Sequence, residues 1–268
     1  MHTAALRALR LDALYTPFEV PTCFLRPMVR GLVLAGVEGL NVTVPLKEAV
    51  VPLMDRLDAT ARAMGAVNTI VIRNRRMTGY NTDGAGFRLA LKELGWPACA
   101  PPRGGADRRP RPCEAVILGA GGAARAVAWE LARIPGTCLT VVNRHVERAR
   151  ALVRWLAQAH PRVCARAVAL AAVALEEADL VVNATTVGMR ASDRPLIDPR
   201  QLRRGAVIYD LVYHRETALV RAARRRGCVA ANGLSMLLYQ GAESLRLWLR
   251  RRPPLRVMRQ ALVRAVES

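Results

Sequence analysis

Hydrophobic positions change their period several times along the chain, and each change marks an element. Over residues 1–82 the segments are short. Met1–Arg10 has helical spacing, Asp12–Val20 reads as a strand interrupted by a proline, and Phe24–Ala35 returns to a helical period. Gly39–Val44 is a short strand stopped by Pro45, and Leu46–Met54 begins a helix. Ala66–Ile72 and Met77–Tyr80 form a β-pair across the turn Arg73–Arg76. Asp83–Leu94 is a connecting helix. Trp96–Pro112 is rich in Pro, Gly and Arg without periodicity and reads as a flexible linker with no assigned function. Beyond it, apolar runs near 114–118, 137–142, 163–168, 179–183, 206–211 and 228–231 alternate with amphipathic stretches, as an open parallel sheet requires. Leu234–Leu249 and Leu255–Val266 are helical. The pattern predicts an α/β protein of two domains, residues 1–82 with 233–268 and residues 83–232, with the C-terminal helices returning to the first domain and a cleft between them.

Composition narrows the class. No run of about 18 uninterrupted apolar residues occurs, so no membrane span is expected, and the N-terminus lacks a signal-peptide pattern. A cytoplasmic protein is expected. The six cysteines show no metal-ligand spacing; they read as reduced thiols, and no metal is expected. The net charge is +20, and 39 of the 41 basic residues are arginine. Aromatic residues are only 4%, which argues against a nucleic-acid platform. A solvated basic surface that attracts anionic substrates and cofactors is the simpler reading, and no specific nucleic-acid partner is expected. Against this background Lys47 stands out, because a lysine kept where arginine is the default points to a need for an ammonium.

The strongest motif is the apolar strand Val116–Leu118 running into Gly119-Ala120-Gly121-Gly122-Ala123 and a helix of small residues. Gly119 permits the tight turn, while Gly121 and Gly122 let backbone approach a pyrophosphate at the helix N-terminus. The next strand ends in Asn143-Arg144. An acidic residue there would hold the ribose hydroxyl of NAD; a cation suits the 2′-phosphate of NADP. Arg148, one turn further on, can reach the same phosphate. The motif and its context predict a Rossmann-like NADP-binding domain.

A second set of residues is polar. Asn41 and Thr43 alternate towards one strand face, and Lys47 follows one turn into a helix. Asn68 reads equally as a turn residue. Asp83, in Asn81-Thr82-Asp83-Gly84, reads equally as a helix N-cap. Taken together, Asn-Val-Thr-Val-Pro-Leu-Lys, Gly-Ala-Val-Asn-Thr, Gly-Tyr-Asn-Thr-Asp-Gly, Gly-Ala-Gly-Gly-Ala-Ala-Arg, Asn-Ala-Thr-x-x-Gly-Met, Tyr-Asp-x-x-Tyr and Gly-Leu-x-Met-Leu-x-x-Gln-Gly, in this order, resemble the shikimate dehydrogenase family.

The resemblance covers residues 1 to about 250. It implies NADPH-dependent reduction of 3-dehydroshikimate to shikimate on the route to aromatic amino acids, by a monomer or homodimer. It implies a catalytic pair at Lys47 and Asp83. Substrate contacts fall at Asn41, Thr43, Asn68, Thr82, Tyr213 and Gln240. Cofactor contacts fall at Gly119, Ala120, Gly121, Gly122, Ala123, Asn143, Arg144, Arg148, Thr185, Gly233 and Met236. A related quinate or aminoshikimate dehydrogenase and a non-catalytic NADP-binding relative are the alternatives. The family carries a strand and a Ser-x-Ser-Pro loop ahead of the first helix, whereas this sequence opens at Met1-His2-Thr3 inside that helix. The expectation is a natural start further upstream and, in the chain as written, unpaired strands with exposed apolar residues beside them.

Overall fold

The structure is a computed structural model that describes residues 1–96 and 112–267. The linker read over 96–112 lies outside the described residues except at its two ends. The chain divides into two compact units, Met1–Gly86 with Leu238–Ser268, and Phe87–Leu237. Two helices, α5 (Asp83–Glu93) and α9 (Leu234–Leu249), pass from one unit into the other.

The first unit is built on four strands: β1 (Gly39–Asn41), β2 (Arg56–Leu57), β3 (Thr69–Arg73) and β4 (Arg76–Tyr80), in the order β1-β3-β4-β2. β3 and β4 form an antiparallel hairpin whose turn residues, Asn74 and Arg75, both have positive φ, the conformation that matches the twist of a two-residue hairpin. Ile70 and Ile72 point to one face of β3 and join Leu25 and Val29 of helix α2 (Leu25–Leu34) in the core. Their spacing of four residues lays α2 across the sheet by one apolar stripe. The other side of the sheet meets α9: Trp248 Nε1 donates to the Ile70 carbonyl at 2.9 Å. Helix α1 (His2–Ala8) packs on α10 (Leu255–Glu267) through buried Ala5, Leu6, Met258 and Leu262. The C-terminal helices thus return to the first unit.

Three local expectations change here. Asp12–Val20 is irregular rather than a strand. Among the described residues β1 pairs with β3 alone, Pro17 and Pro21 remove backbone donors, and Leu14 and Phe18 stand in solvent. The strand expected over Gly39–Val44 ends at Asn41, ahead of Pro45, which leaves Thr43 beyond it. A short helix, α4 (Ala59–Met64), lies where no helix was expected. Asp58 caps it by accepting from Ala61 N at 2.8 Å, and Gly65 ends it with φ +62°.

The second unit is a six-stranded parallel sheet, β5 (Cys113–Leu118), β6 (Thr137–Asn143), β7 (Cys164–Ala169), β8 (Leu180–Asn183), β9 (Val207–Asp210) and β10 (Val229–Asn232), in the order β10-β9-β8-β5-β6-β7. Helices α6 (Gly122–Ala132), α7 (Val146–Ala159) and α8 (Ala218–Arg225) supply crossovers. β8 and β9 are buried at every position, which explains why they read as unbroken apolar runs. The chain winds outward from β5 to β7, then restarts at β8 on the other side of β5. The switch point lies between β5 and β8, where open α/β sheets bind ligands.

The cysteine expectation is corrected. Cys138 and Cys164 are register partners on β6 and β7, with Cα atoms 4.7 Å apart, and they form a disulfide. Their pairing depends on strand order, which spacing in sequence does not reveal. Cys23, Cys113 and Cys228 carry no disulfide, and Cys99 lies outside the described residues. Among the described residues no helix is long and apolar enough to cross a membrane, and no three metal-ligating side chains cluster.

The packing of β1 against α9 has a measurable consequence. A Cβ at Gly39 would lie 2.2 Å from Trp248 Nε1, whereas at Gly31, inside α2, it would meet nothing within 4 Å. Gly39→Ala is expected to cost about 1–3 kcal/mol by overpacking. Gly31→Ala is expected to stabilise by about 0.5–1 kcal/mol through helix propensity. Urea midpoints of the two variants check both signs.

Candidate active site

The first unit gathers a buried polar cluster around Asn68, just ahead of β3. Lys47 sits in the short helix α3 (Leu46–Ala49), and its Nζ lies 2.6 Å from Asp83 Oδ2. Asn68 Nδ2 donates to the other oxygen, Asp83 Oδ1, at 2.7 Å and to Thr82 Oγ1 at 3.0 Å. Asn68 Oδ1 in turn accepts from Thr82 N at 2.9 Å and from Thr69 Oγ1 at 3.0 Å. Asp83 is therefore not an N-cap. It is the first residue of α5, Asn81 Oδ1 accepts from its backbone N–H at 3.1 Å, and its carboxylate is left to Lys47 and Asn68. Both members of the ion pair are part-buried, with side chains 25% and 17% exposed, so the pair is partly desolvated yet reachable from solvent.

Asn41 and Gln240 join the same cluster. Asn41 Nδ2 donates to Thr69 Oγ1 at 3.2 Å and Ser244 Oγ at 3.1 Å, and Tyr15 OH donates to Asn41 Oδ1 at 3.1 Å. Gln240 Oε1 lies 3.5 Å from Thr82 Oγ1. Ser244 is fully buried and 2.7 Å from Thr69 Oγ1. Ser244 lies outside the motifs of the sequence, and Thr69 enters them only as the last residue of Gly-Ala-Val-Asn-Thr. A serine at the spacing i+4 from Gln240 on an apolar helix was the available signal, since its hydroxyl also donates to the Gln240 carbonyl at 3.0 Å. Thr43 is exposed, and its carbonyl accepts from Leu46 N at 2.9 Å. The cluster thus includes Lys47, Asp83, Asn68, Thr82, Asn41 and Gln240, and leaves Thr43 at the surface.

The second unit carries the glycine-rich turn at its switch point. Gly119 has φ +113°, and a Cβ there would lie 2.9 Å from the Ala184 carbonyl, so only glycine fits. Gly119 N donates to the Val142 carbonyl at 2.7 Å, which seats the turn beside Asn143 at the end of β6. Gly121, Gly122 and Ala123 are exposed at the start of α6, and a Cβ on either glycine would meet nothing within 4 Å. Open space over the first N–H groups of an eleven-residue helix accommodates a pyrophosphate. Arg144 and Arg148 are exposed, and no carboxylate pairs with either among the described residues. Free guanidinium groups beside the end of β6 fit a 2′-phosphate.

Thr185 follows β8 at the same sheet edge, with its hydroxyl donating to Asn183 Oδ1 at 2.7 Å. Gly233 packs so closely that a Cβ would lie 2.3 Å from the Leu211 carbonyl. Met236 N donates to Tyr209 OH at 3.1 Å, and Tyr213 is 43% exposed. Beneath this edge Asp210 is fully buried. It accepts from Asn183 Nδ2 at 2.9 Å, Val212 N at 3.1 Å and Thr217 Oγ1 at 2.7 Å. Burial pushes its carboxyl above the ordinary value, against the hydrogen bonds that pull it down. Its three donors tie β8, β9 and the start of α8 together.

Family models match along most of the chain. Residues 1–70 match the shikimate dehydrogenase substrate binding domain, residues 108–211 the shikimate/quinate 5-dehydrogenase family, and residues 233–263 the shikimate 5'-dehydrogenase C-terminal domain. A shikimate dehydrogenase (NADP(+)) of Symbiobacterium thermophilum is 44% identical over 275 residues, covering 100% of this chain and 90% of that protein. The structure of shikimate 5-dehydrogenase from Thermus thermophilus in complex with NADP(H) and shikimate is similar with a TM-score of 0.83 at 36% identity. It covers 98% of this chain and 92% of that one. A quinate dehydrogenase from Corynebacterium glutamicum in complex with NAD reaches a TM-score of 0.88 at 30% identity over 98% of this chain and 92% of its own. Together with the polar cluster on one unit and the glycine-rich turn on the other, these likenesses establish that the chain belongs to the shikimate dehydrogenase family.

Proposed function

We propose that this chain catalyses the reversible, NADPH-dependent reduction of 3-dehydroshikimate to shikimate, in the biosynthesis of aromatic amino acids. The observation that carries the reading is the Lys47–Asp83 ion pair, held at 2.6 Å within a cluster of amide and hydroxyl groups suited to a polyhydroxylated ring. Asn41, Asn68, Thr82 and Gln240 are the substrate contacts, with Thr43 and Tyr213 as exposed additions. Gly119, Ala120, Gly121, Gly122, Ala123, Thr185, Gly233 and Met236 hold the cofactor, and Asn143, Arg144 and Arg148 select its 2′-phosphate. NADPH, when bound, supplies the hydride that converts the ring ketone to an alcohol.

The chain's own part is the proton. As the carbonyl becomes an alkoxide, the Lys47 ammonium stabilises the growing negative charge and passes one proton to that oxygen; in the reverse direction the neutral amine removes it. Asp83 keeps Lys47 oriented through one carboxylate oxygen while Asn68 fixes the other. A guanidinium does not release its proton at neutral pH, so arginine cannot replace this lysine. Arg144 also favours NADP over NAD, which speaks for the shikimate reading over one in which NAD serves a quinate-type substrate.

Lys47→Ala and Lys47→Arg are each expected to lower kcat by about 10²-fold or more while NADPH binding is retained. Shikimate-dependent NADPH formation and NADPH fluorescence titration measure the two quantities, and loss of cofactor binding in these variants would count against the assignment. Arg144→Ala with Arg148→Ala is expected to raise KM for NADP⁺ about 10–100-fold, from the loss of charge-assisted hydrogen bonds, and to leave KM for NAD⁺ nearly unchanged. Equal effects on both cofactors would exclude the 2′-phosphate role.

A further inference from the structure

The sequence holds an arginine run, Arg250–Arg252, that the dehydrogenase reading does not use. In the first unit this run closes a groove of about 530 Å³ lined by Val71 of β3, Tyr80 of β4 and Arg246, Arg250, Arg251 and Arg252 at the end of α9. Such a volume lies in the range of small-molecule sites. Arg250 makes the turn out of the helix with φ +53°, a conformation that glycine adopts more easily, and the chain then carries Arg251 and Arg252 around the rim to Pro253.

The charge at the groove is not balanced locally. Arg246 pairs with Glu243, but none of Arg250, Arg251 and Arg252 pairs with a carboxylate among the described residues. The C-terminus of α9 offers the equivalent of about half a negative charge, which offsets only a small part of three guanidinium groups. Three guanidinium groups without a carboxylate partner among the described residues border one concavity with Tyr80 on its wall, and guanidinium forks suit phosphate or carboxylate. The residues that line it are separate from the polar cluster around Asn68.

We propose that this groove is a second ligand site, which takes a small, multiply charged oxyanion bearing phosphate or carboxylate groups. The test is calorimetric titration of the full chain with inorganic tripolyphosphate and, in a parallel arm, citrate. Saturating NADP⁺ keeps the glycine-rich turn occupied. The expected result is saturable one-to-one binding of at least one anion, weakened tenfold or more in Arg250→Gln/Arg251→Gln/Arg252→Gln. A charge-matched control, Arg154→Gln/Arg162→Gln/Arg225→Gln, removes three exposed and unpaired arginines from the other unit, and is expected to change the affinity less than twofold. The tripolyphosphate arm distinguishes a phosphate site from a carboxylate site, which the citrate arm would fill. If the triple variant does not fold, Arg251→Glu alone carries the same expectation. Equal weakening in the control would reduce the effect to net charge and overturn the proposal, as would the absence of saturable binding by either anion.

Discussion

The contact on which most of the first unit's chemistry depends is the side-chain amide of Asn68. An amide presents donors and an acceptor at fixed angles, and here they reach Asp83 at the start of α5, both the backbone and hydroxyl of the adjoining Thr82, and the neighbouring Thr69 at the start of β3. Each partner then reaches further. Asp83 binds Lys47 on α3, and Thr69 binds Ser244 on α9 and Asn41 on β1. An unpaired polar group at this depth costs about 1–3 kcal/mol, so a change at Asn68 would expose several partners to that penalty at once. The same connectivity fixes the carboxylate that orients the lysine. The Lys47–Asp83 ion pair and the cohesion of the unit are thus served by one set of hydrogen bonds.

The second unit follows a different logic. The centre of its sheet is held by apolar burial, and its candidate binding groups gather at the carboxyl edge, where β5, β6 and β8 end side by side. Two constraints meet there. Gly119 must be glycine because of its positive φ and the Ala184 carbonyl beside it, and Gly121 and Gly122 face open space. Their roles differ: the first lets the turn form, and the others leave room for a ligand. Asp210 lies under this edge as a buried anchor, kept in place by three donors despite the cost of removing a carboxylate from water. A buried, fully partnered acid at a loop junction defines one arrangement of the β8, β9 and α8 ends.

What was legible in the sequence tracks how local its cause is. The parallel strands of the second unit were legible to within about a residue: β8 and β9 are buried on both faces and leave apolar runs, and the outer strands follow from their alternation with helical segments. The glycine-rich turn and the residues at the end of β6 were legible for the same reason, as their meaning follows from strand, turn and helix in succession. Asp12–Val20 failed because strand formation needs a neighbour, and the β-like composition of Ala13–Val20 says nothing about whether one is present. α4 leaves no periodic signal although Asp58 and Gly65 flank it, since six residues are too few to establish a period. Cys138 with Cys164, and Asn41 with Ser244, are meetings between distant parts of the chain. Only the strand order and the return of α9 to the first unit create them.

Charge shows the same distinction between local and global causes. With 41 basic residues against 21 acidic ones, carboxylates are too few to pair one to one with the arginines, so an unpaired guanidinium by itself identifies nothing. Position decides. Arg203 is committed to Asp179 and Arg224 to Glu216, where they serve the fold. Among the described residues Arg144 and Arg148 pair with no carboxylate and lie near an open glycine-rich turn, and Arg250–Arg252 pair with none around a concavity. At physiological ionic strength, screening confines each exposed charge to a range of about 8 Å. The net charge of +20 is therefore not what an anion meets on binding. It meets the few guanidinium groups within that range. Lys47 is a cation of another kind: amid arginines that hold anions without releasing a proton, its ammonium can give one up.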